Sequence, residues 1–322
     1  MVAVCLVLGL IGCGGGDDGD QEPTAKGPQG LVESAGYDGV ESGELEVTLE
    51  IDDQVKEEEI NMRILGPFIE AGGEGLPQID MAVEAHGPLN GKEIDFDAGV
   101  AWLADRMVVF YEDETYEPTR GEFEALRERF EETQEEGSPG DVTACAEAAE
   151  GVEVDRFVDG FANEGRSTEI DGAPVTRVSG DLDVSGAIGV LIELSKDPGC
   201  GPQLEAAGLP PRNILRVARP LLARIAKDAQ VEFAVGRDRV LRNFTFHITA
   251  KPREGKRRGE IEIDGGIRLA QVNEVKDLPF PEGRKPLDAL FERLGHNPLK
   301  GLEAGGSEGV VDLLEALAPS GT

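Results

Sequence analysis

Residues 44–52, ELEVTLEID, alternate in polarity, with Leu45, Val47, Leu49 and Ile51 on one side and Glu44, Glu46, Glu50 and Asp52 on the other. A period of two marks a strand with one face in a core and the other in water. The pattern recurs in QIDMAVEAH, where Ile79, Met81, Val83 and Ala85 share a face, and in EIDFDAGV, where Ile94, Phe96, Ala98 and Val100 do. RMVVFYED, residues 106–113, predicts a further strand covered on both faces. The period then lengthens. Thr119-Arg120-Gly121-Glu122 fits a capping box, and behind it Phe123, Leu126 and Phe130 fall on one helical face. Ser138-Pro139 predicts the start of a short helix carrying Cys145.

Strands return around FANEGRSTEIDGAPVTRVSGDLDV, in which Asp171-Gly172 predicts a tight hairpin turn. A helical stretch is predicted from about 185 to 228, with Pro220 breaking it, kinking it or opening a new helix. The hairpin QVEFAVGRDRVLRNFTFHITA follows, with Val231, Phe233 and Val235 on one arm and Val240, Phe244, Phe246 and Ile248 on the other. GEIEIDGGIRLAQVN is the last predicted strand, and short helices are expected at about 286–294 and 307–317. Strands therefore form an early and a late group with helices between them. That order excludes the alternation of a parallel sheet and predicts an α+β fold, an antiparallel sheet with helices against one face.

The ends change the picture. MVAVCLVLGLIG carries no charge, and as a helix it would reach ~18 Å, short of the ~30 Å of a bilayer core. It reads as the apolar region of a secretory leader, one lacking the Lys or Arg that normally precedes such a region, and so expected to be truncated. Leu10-Ile11-Gly12-Cys13 resembles a bacterial lipobox, which implies lipidation of Cys13 and cleavage before it. The Gly-, Asp-, Glu- and Pro-rich residues that follow, up to about Asp38, read as a flexible tether.

With 64 acidic and 31 basic residues the chain carries a formal charge of −33, which argues against nucleic-acid partners. Beyond Cys13, the cysteines left are Cys145 and Cys200, and in an exported chain they are expected to pair. A metal site is the poorer alternative, because there is no CxxC and the histidines are only His86, His247 and His296. HExxH and P-loop motifs are missing, GxSxG and GxGxxG occur only as letter matches within the Gly-rich stretches 305–309 and 14–19, and Asp95 and Asp97 read as a solvated strand face. No enzyme, cofactor or metal is therefore expected. Against the acidic background stands KPREGKRRG, where Lys251, Arg253, Lys256, Arg257 and Arg258 cluster at a hairpin tip. The plain reading is a solvated turn, and the sharper one makes these residues candidates for contact with anionic lipid headgroups. Arg212, Arg216 and Arg219 form a second basic strip before Pro220.

The order of these parts resembles the LppX/LprG-type envelope lipoproteins of high-GC Gram-positive bacteria, which share the fold of the lipoprotein carrier LolA. The resemblance rests on the lipobox, the acidic tether, the strand GVESGELEVTLEID, the two hairpins above and the closing DLPFPEG. It implies a curved, half-open antiparallel sheet wrapped over central helices, with an apolar cavity for acyl chains. Residues 1–12 are then the leader, 13–38 the lipidated cysteine and tether, 39–282 the LolA-like domain and 283–322 a helical tail. Leu45, Val47, Leu49, Ile79, Met81, Val83, Phe96, Phe123, Phe130, Phe233, Phe244 and Phe246 are candidate lining residues, each also readable as ordinary core. The expected function is a monomeric, membrane-anchored extracytoplasmic protein that binds a lipid or lipoglycan and moves it within the envelope. The alternative is a surface lipoprotein with a filled core and no cargo, acting as an interaction or structural module.

Overall fold

A computed structural model describes residues 27–70, 77–89, 92–133, 145, 148–149, 152–206, 209–252, 259–281 and 284–294. In chain order the elements are α1 (Gly27–Glu33), β1 (Ser42–Asp53), β2 (Glu58–Ile69), β3 (Gln78–Leu89), β4 (Lys92–Trp102), β5 (Met107–Tyr111), β6 (Glu114–Glu117) and α2 (Arg120–Thr133). There follow β7 (Val158–Ile170), β8 (Ala173–Leu182), α3 (Val184–Leu194), α4 (Cys200–Ala206), α5 (Arg212–Ile225), β9 (Ala226–Gly236), β10 (Leu241–Ala250), β11 (Ile261–Ala270), β12 (Lys285–Pro286) and α6 (Leu287–Leu294). All strands join one curved, open 12-stranded sheet in the order β12-β6-β5-β4-β3-β2-β1-β11-β10-β9-β8-β7. Every pairing is antiparallel except that of β12 with β6.

The alternation read from the sequence sets the register. Tyr111, Ala98, Val83, Ile64, Val47, Ile267, Phe244, Phe233 and Val178 stand opposite one another from β5 to β8. A second row runs through Phe96, Ala85, Met62, Leu49, Gly265, Phe246, Val231 and Gly180. The other face is polar: Arg63 pairs with Glu46 at 2.6 Å, Arg268 with Asp171 at 2.7 Å, and His86 with Asp95 and His247 with Asp264 at 2.8 Å each. The two histidines and Asp95 are thus part of solvated hydrogen-bonded pairs.

Helices pack in two groups on the apolar face. Val32 and Ala35 of the first segment, Ile188, Val190, Ile192 and Leu194 of α3 and Leu204 of α4 join Val47, Val178, Phe233, Phe244 and Ile267 in the main core. Cys145 and Cys200 are buried there and bonded to each other. At the other end α2 lays Phe123 on Trp102, ring centroids 5.2 Å apart, and α6 buries Leu287, Leu290 and Phe291 against Tyr116. The capping box is present: the Thr119 amide donates to Glu122 at 2.6 Å, and the Glu122 amide donates back to the Thr119 hydroxyl at 3.4 Å.

Three details differ from the sequence reading. Residues 27–35, placed in the tether, belong to the fold: Val32 and Ala35 supply enough apolar contact to hold a short helix that composition alone reads as flexible. The helix α5 runs through Pro220, and both Pro220 and Arg216, whose carbonyl loses its donor there, are exposed to water. Residues 284–294, read as the start of a helical tail, carry the expected helix as α6 and also a strand, β12, that extends the sheet, with Arg284 binding Glu117 at 2.9 Å. The Ser138-Pro139 helix start and the predicted 307–317 helix lie outside the described residues.

Candidate functional site on the apolar sheet face

Burial changes along the first register row. Val178, Phe233, Phe244, Ile267 and Val47 are buried beneath α1, α3 and α4, whereas Ile64, Val83 and Ala98 are only half-buried. In the second row Val231 is buried, while Leu49, Met62 and Ala85 are half-buried. Between the two helix groups therefore lies a strip on β2–β4 made of Met62, Ile64, Met81, Val83, Ala85 and Ala98. Isolated half-buried apolar side chains are ordinary, but a contiguous strip of them on the core face of a sheet is a surface a ligand can use.

Away from the strip, on β9–β11, aromatic rings continue the apolar face. A Cβ on Gly265 would sit 2.5 Å from the Phe246 ring, so glycine there lets the ring lie across β11. Phe246 stacks at 6.1 Å on Phe244, which stacks at 5.2 Å on Phe233. At the strand ends Ile60, Ile51, Ile263 and Ile248 form a further half-buried row.

The structure thus gathers Val47, Leu49, Val83, Phe96, Phe233, Phe244 and Phe246 onto two adjacent rows, with Leu45, Ile79 and Met81 on the same face. Phe123 belongs instead to the α2 contact, and the Phe130 side chain lies outside the described residues. So do Cys13, Arg253, Lys256, Arg257 and Arg258; Lys251 is described, and its amide donates to the Ile225 carbonyl at 2.9 Å. β2 is the element the sequence reading passed over. Its signal was present in Ile60, Met62 and Ile64 alternating with Asn61 and Arg63, before Leu65-Gly66-Pro67 interrupts the period.

Hollows among the described residues include two that do not touch the strip. One, of about 290 Å³, is lined by residues that include Asp181, Asp183, Lys227 and Asp228. The other, of about 440 Å³, is lined by Ile192, Lys196, Pro211, Arg212, Asn213 and Arg216. Polar chemistry gathers elsewhere, where α6 meets the sheet. There Tyr116 donates to Glu114 at 2.6 Å, Lys285 also binds Glu114, Arg293 binds Glu112, and the Arg293 guanidinium lies 5.1 Å from the Tyr111 ring centre. The Lys285 and Tyr116 hydrogen bonds hold the Glu114 carboxyl below its usual range, and burial raises the Tyr111 and Tyr116 phenols. This cluster fastens α6; it holds no histidine, cysteine or serine to act as a nucleophile or base. Among the described residues no group of His, Cys, Asp and Glu side chains is placed to hold a metal, and no helix is long and apolar enough to cross a membrane.

Fold and strip together define an open α+β sheet protein with one partly uncovered apolar face. It is similar to LprF from Mycobacterium bovis, at 13% identity and a TM-score of 0.34, over 80% of this chain and 97% of that one. A DUF1329 family protein from Desulfovibrio piger is similar at 9% identity and a TM-score of 0.17, over 74% of this chain and 91% of that one. At such values neither likeness bears on what the protein binds. No family model matches the chain, and no curated protein does.

Proposed function

We propose that this is a lipid-anchored extracytoplasmic lipoprotein that binds a lipid or lipoglycan on the β2–β4 strip and moves it within the cell envelope. The observation that carries the reading is the strip itself, a continuation of buried core rows left half-buried between two helix groups. An acyl chain laid along Met62, Ile64, Met81 and Val83 would gain about 0.8 kcal/mol for each CH₂ it buries. Binding on such a surface is non-covalent and involves no chemistry. The membrane link is the lipid on Cys13, with the acidic residues after it as spacer.

Native mass spectrometry of the exported chain carrying Cys13→Ala tests the cargo. The expected result is a mass excess that disappears on denaturation and extracts as lipid. A bare mass, with no uptake when lipids are added, would overturn it and favour the interaction module, a reading supported by the filled half of the sheet under α3 and α4. The anchor is tested separately: Cys13→Ala should release the protein into the medium under a high-salt wash, and a variant that stays on the membrane through that wash refutes the lipidation.

A further inference from the structure

We propose that α5 is a membrane-docking helix that seats on a bilayer containing anionic phospholipid. Its orientation is fixed from one side. Leu215 is buried, and Arg219 reaches α3, its Nε donating to the Ser185 hydroxyl at 3.0 Å and its guanidinium lying against Gly189. Helical periodicity then turns Ile214, Val217 and Leu221 to the opposite side. They are exposed to 51%, 77% and 49%. A surface helix normally buries its apolar stripe, and this one presents it to the outside.

The charges say what the stripe meets. The 14 residues RNILRVARPLLARI hold Arg212, Arg216, Arg219 and Arg224 and no acid, in a chain whose net charge is −33. Arg212, Arg216 and Lys196, three cations without an acid, line the hollow of about 440 Å³ beside the helix. Among the described residues no carboxylate lies within ion-pair distance of these three. Lys227 stands at the C-terminal end, its ammonium donating to the Arg224 carbonyl, while the ammonium of Lys251 nearby is paired with Glu260. On the helix Arg224 stands beside Val217 and Arg216 on the flank, so that with the stripe at the acyl boundary these arginines reach the phosphates of a headgroup layer. A folded acidic partner would satisfy the charge but leave the apolar stripe without a role.

The test uses the full chain carrying Cys13→Ala and Val217→Trp, mixed with phosphatidylcholine vesicles with or without a quarter phosphatidylglycerol. Trp102, the only native tryptophan, is buried and serves as an internal background. Expected on the anionic vesicles are a blue shift of the introduced indole's emission and its quenching by brominated acyl chains. Apparent affinity should fall about five-fold for each of Arg212, Arg216 and Arg224 changed to Gln, and fall again in high salt. Three outcomes overturn the proposal. Vesicle binding without quenching of the introduced indole places the contact elsewhere. An emission already blue-shifted without vesicles, and reversed on deleting residues 295–322, gives the stripe to the chain's own C-terminal segment. A blue shift that grows with protein concentration gives it to a second copy. Cargo on the β2–β4 strip is read by mass, so either proposal can fail without the other.

Discussion

Val47 and Val83 flank Ile64 in the same register row, one strand to either side. They are the same residue in the same kind of backbone, and they differ in cover: Val47 is 5% exposed under the helices, while Val83 is half-buried in the strip. Val→Ala removes two methyl-sized groups, worth about 0.8 kcal/mol each when fully buried. At Val47 the closed surroundings add a cavity term, for a total of about 2–3 kcal/mol. At Val83 part of the side chain already meets water and no closed cavity is left, so the loss should be about 1 kcal/mol. Urea unfolding of delipidated protein, with m on the order of 3 kcal/mol/M, turns these into midpoint shifts of about 0.8 M and 0.3 M. Lipid uptake should respond in the opposite order, with Val83→Asp abolishing it and Val47→Ala leaving it intact in the folded fraction. Equal losses at the two positions would mean that β3 is as closely packed as β1. The strip would then not be a binding surface.

The Cys145–Cys200 bond spans 55 residues, a loop for which chain entropy predicts about 4 kcal/mol, so the Cys145→Ala/Cys200→Ala protein should lose that much in the same assay; a loss under about 1 kcal/mol refutes the estimate. Burial raises the Asp80 carboxyl above its ordinary value of 3.8. Its folded form therefore holds the proton longer than its unfolded form, so the favourable contribution is complete below about pH 4 and is lost as pH rises through the folded value. Asp80→Asn should gain stability relative to the native chain across that rise and none below it; a constant difference at all pH values would exclude the linkage. Gly66 has a φ of +151°, and a Cβ there would lie 1.9 Å from the Asp80 carbonyl oxygen. Gly66→Ala should therefore open the β2–β3 pairing, seen as faster amide exchange in both strands, and unchanged exchange would show that the strain is absorbed.

The parts legible in the sequence are those where one physical signal acts alone. β1, β3, β4 and the β9–β10 hairpin alternate cleanly because one face meets core and the other water, and their apolar residues are the ones that line up across the sheet. β2 was hidden because Gly66 and Pro67 break the period just where the chain passes closest to β3. α1 was hidden because four apolar residues, Leu31, Val32, Ala35 and Tyr37, anchor it within a Gly- and Pro-rich stretch. The strip itself could not be read from periodicity, since Val47 and Val83 look alike along the chain. Only the placement of helices over one of them separates core from surface. The arginines of α5 were visible as a basic strip, but not the outward turn of Ile214, Val217 and Leu221, which depends on Leu215 and Arg219 being held against α3.

The two surfaces have a geometric relation that makes a joint prediction possible. Ala226, which follows α5 directly, pairs with Ala250, and the next inward-facing residues on β10, β11, β1 and β2 are Ile248, Ile263, Ile51 and Ile60. That isoleucine row is half-buried and adjoins Leu49 of β1 and Met62 of the strip. A chain docked through α5 would thus hold the end of an apolar track near the bilayer, and a lipid passing along it would exchange one apolar contact for another without full exposure to water. Loading from vesicles should then need both surfaces, while loading from detergent micelles, which deliver monomers through solution, should need the strip alone. Val217→Asp with Leu221→Asp is expected to slow uptake from anionic vesicles by about ten-fold and to leave uptake from micelles unchanged. Val83→Asp should abolish both. If the α5 variant loaded from vesicles at the native rate, docking and cargo binding would be independent properties of the fold, and the isoleucine row would be no more than the frayed end of its core.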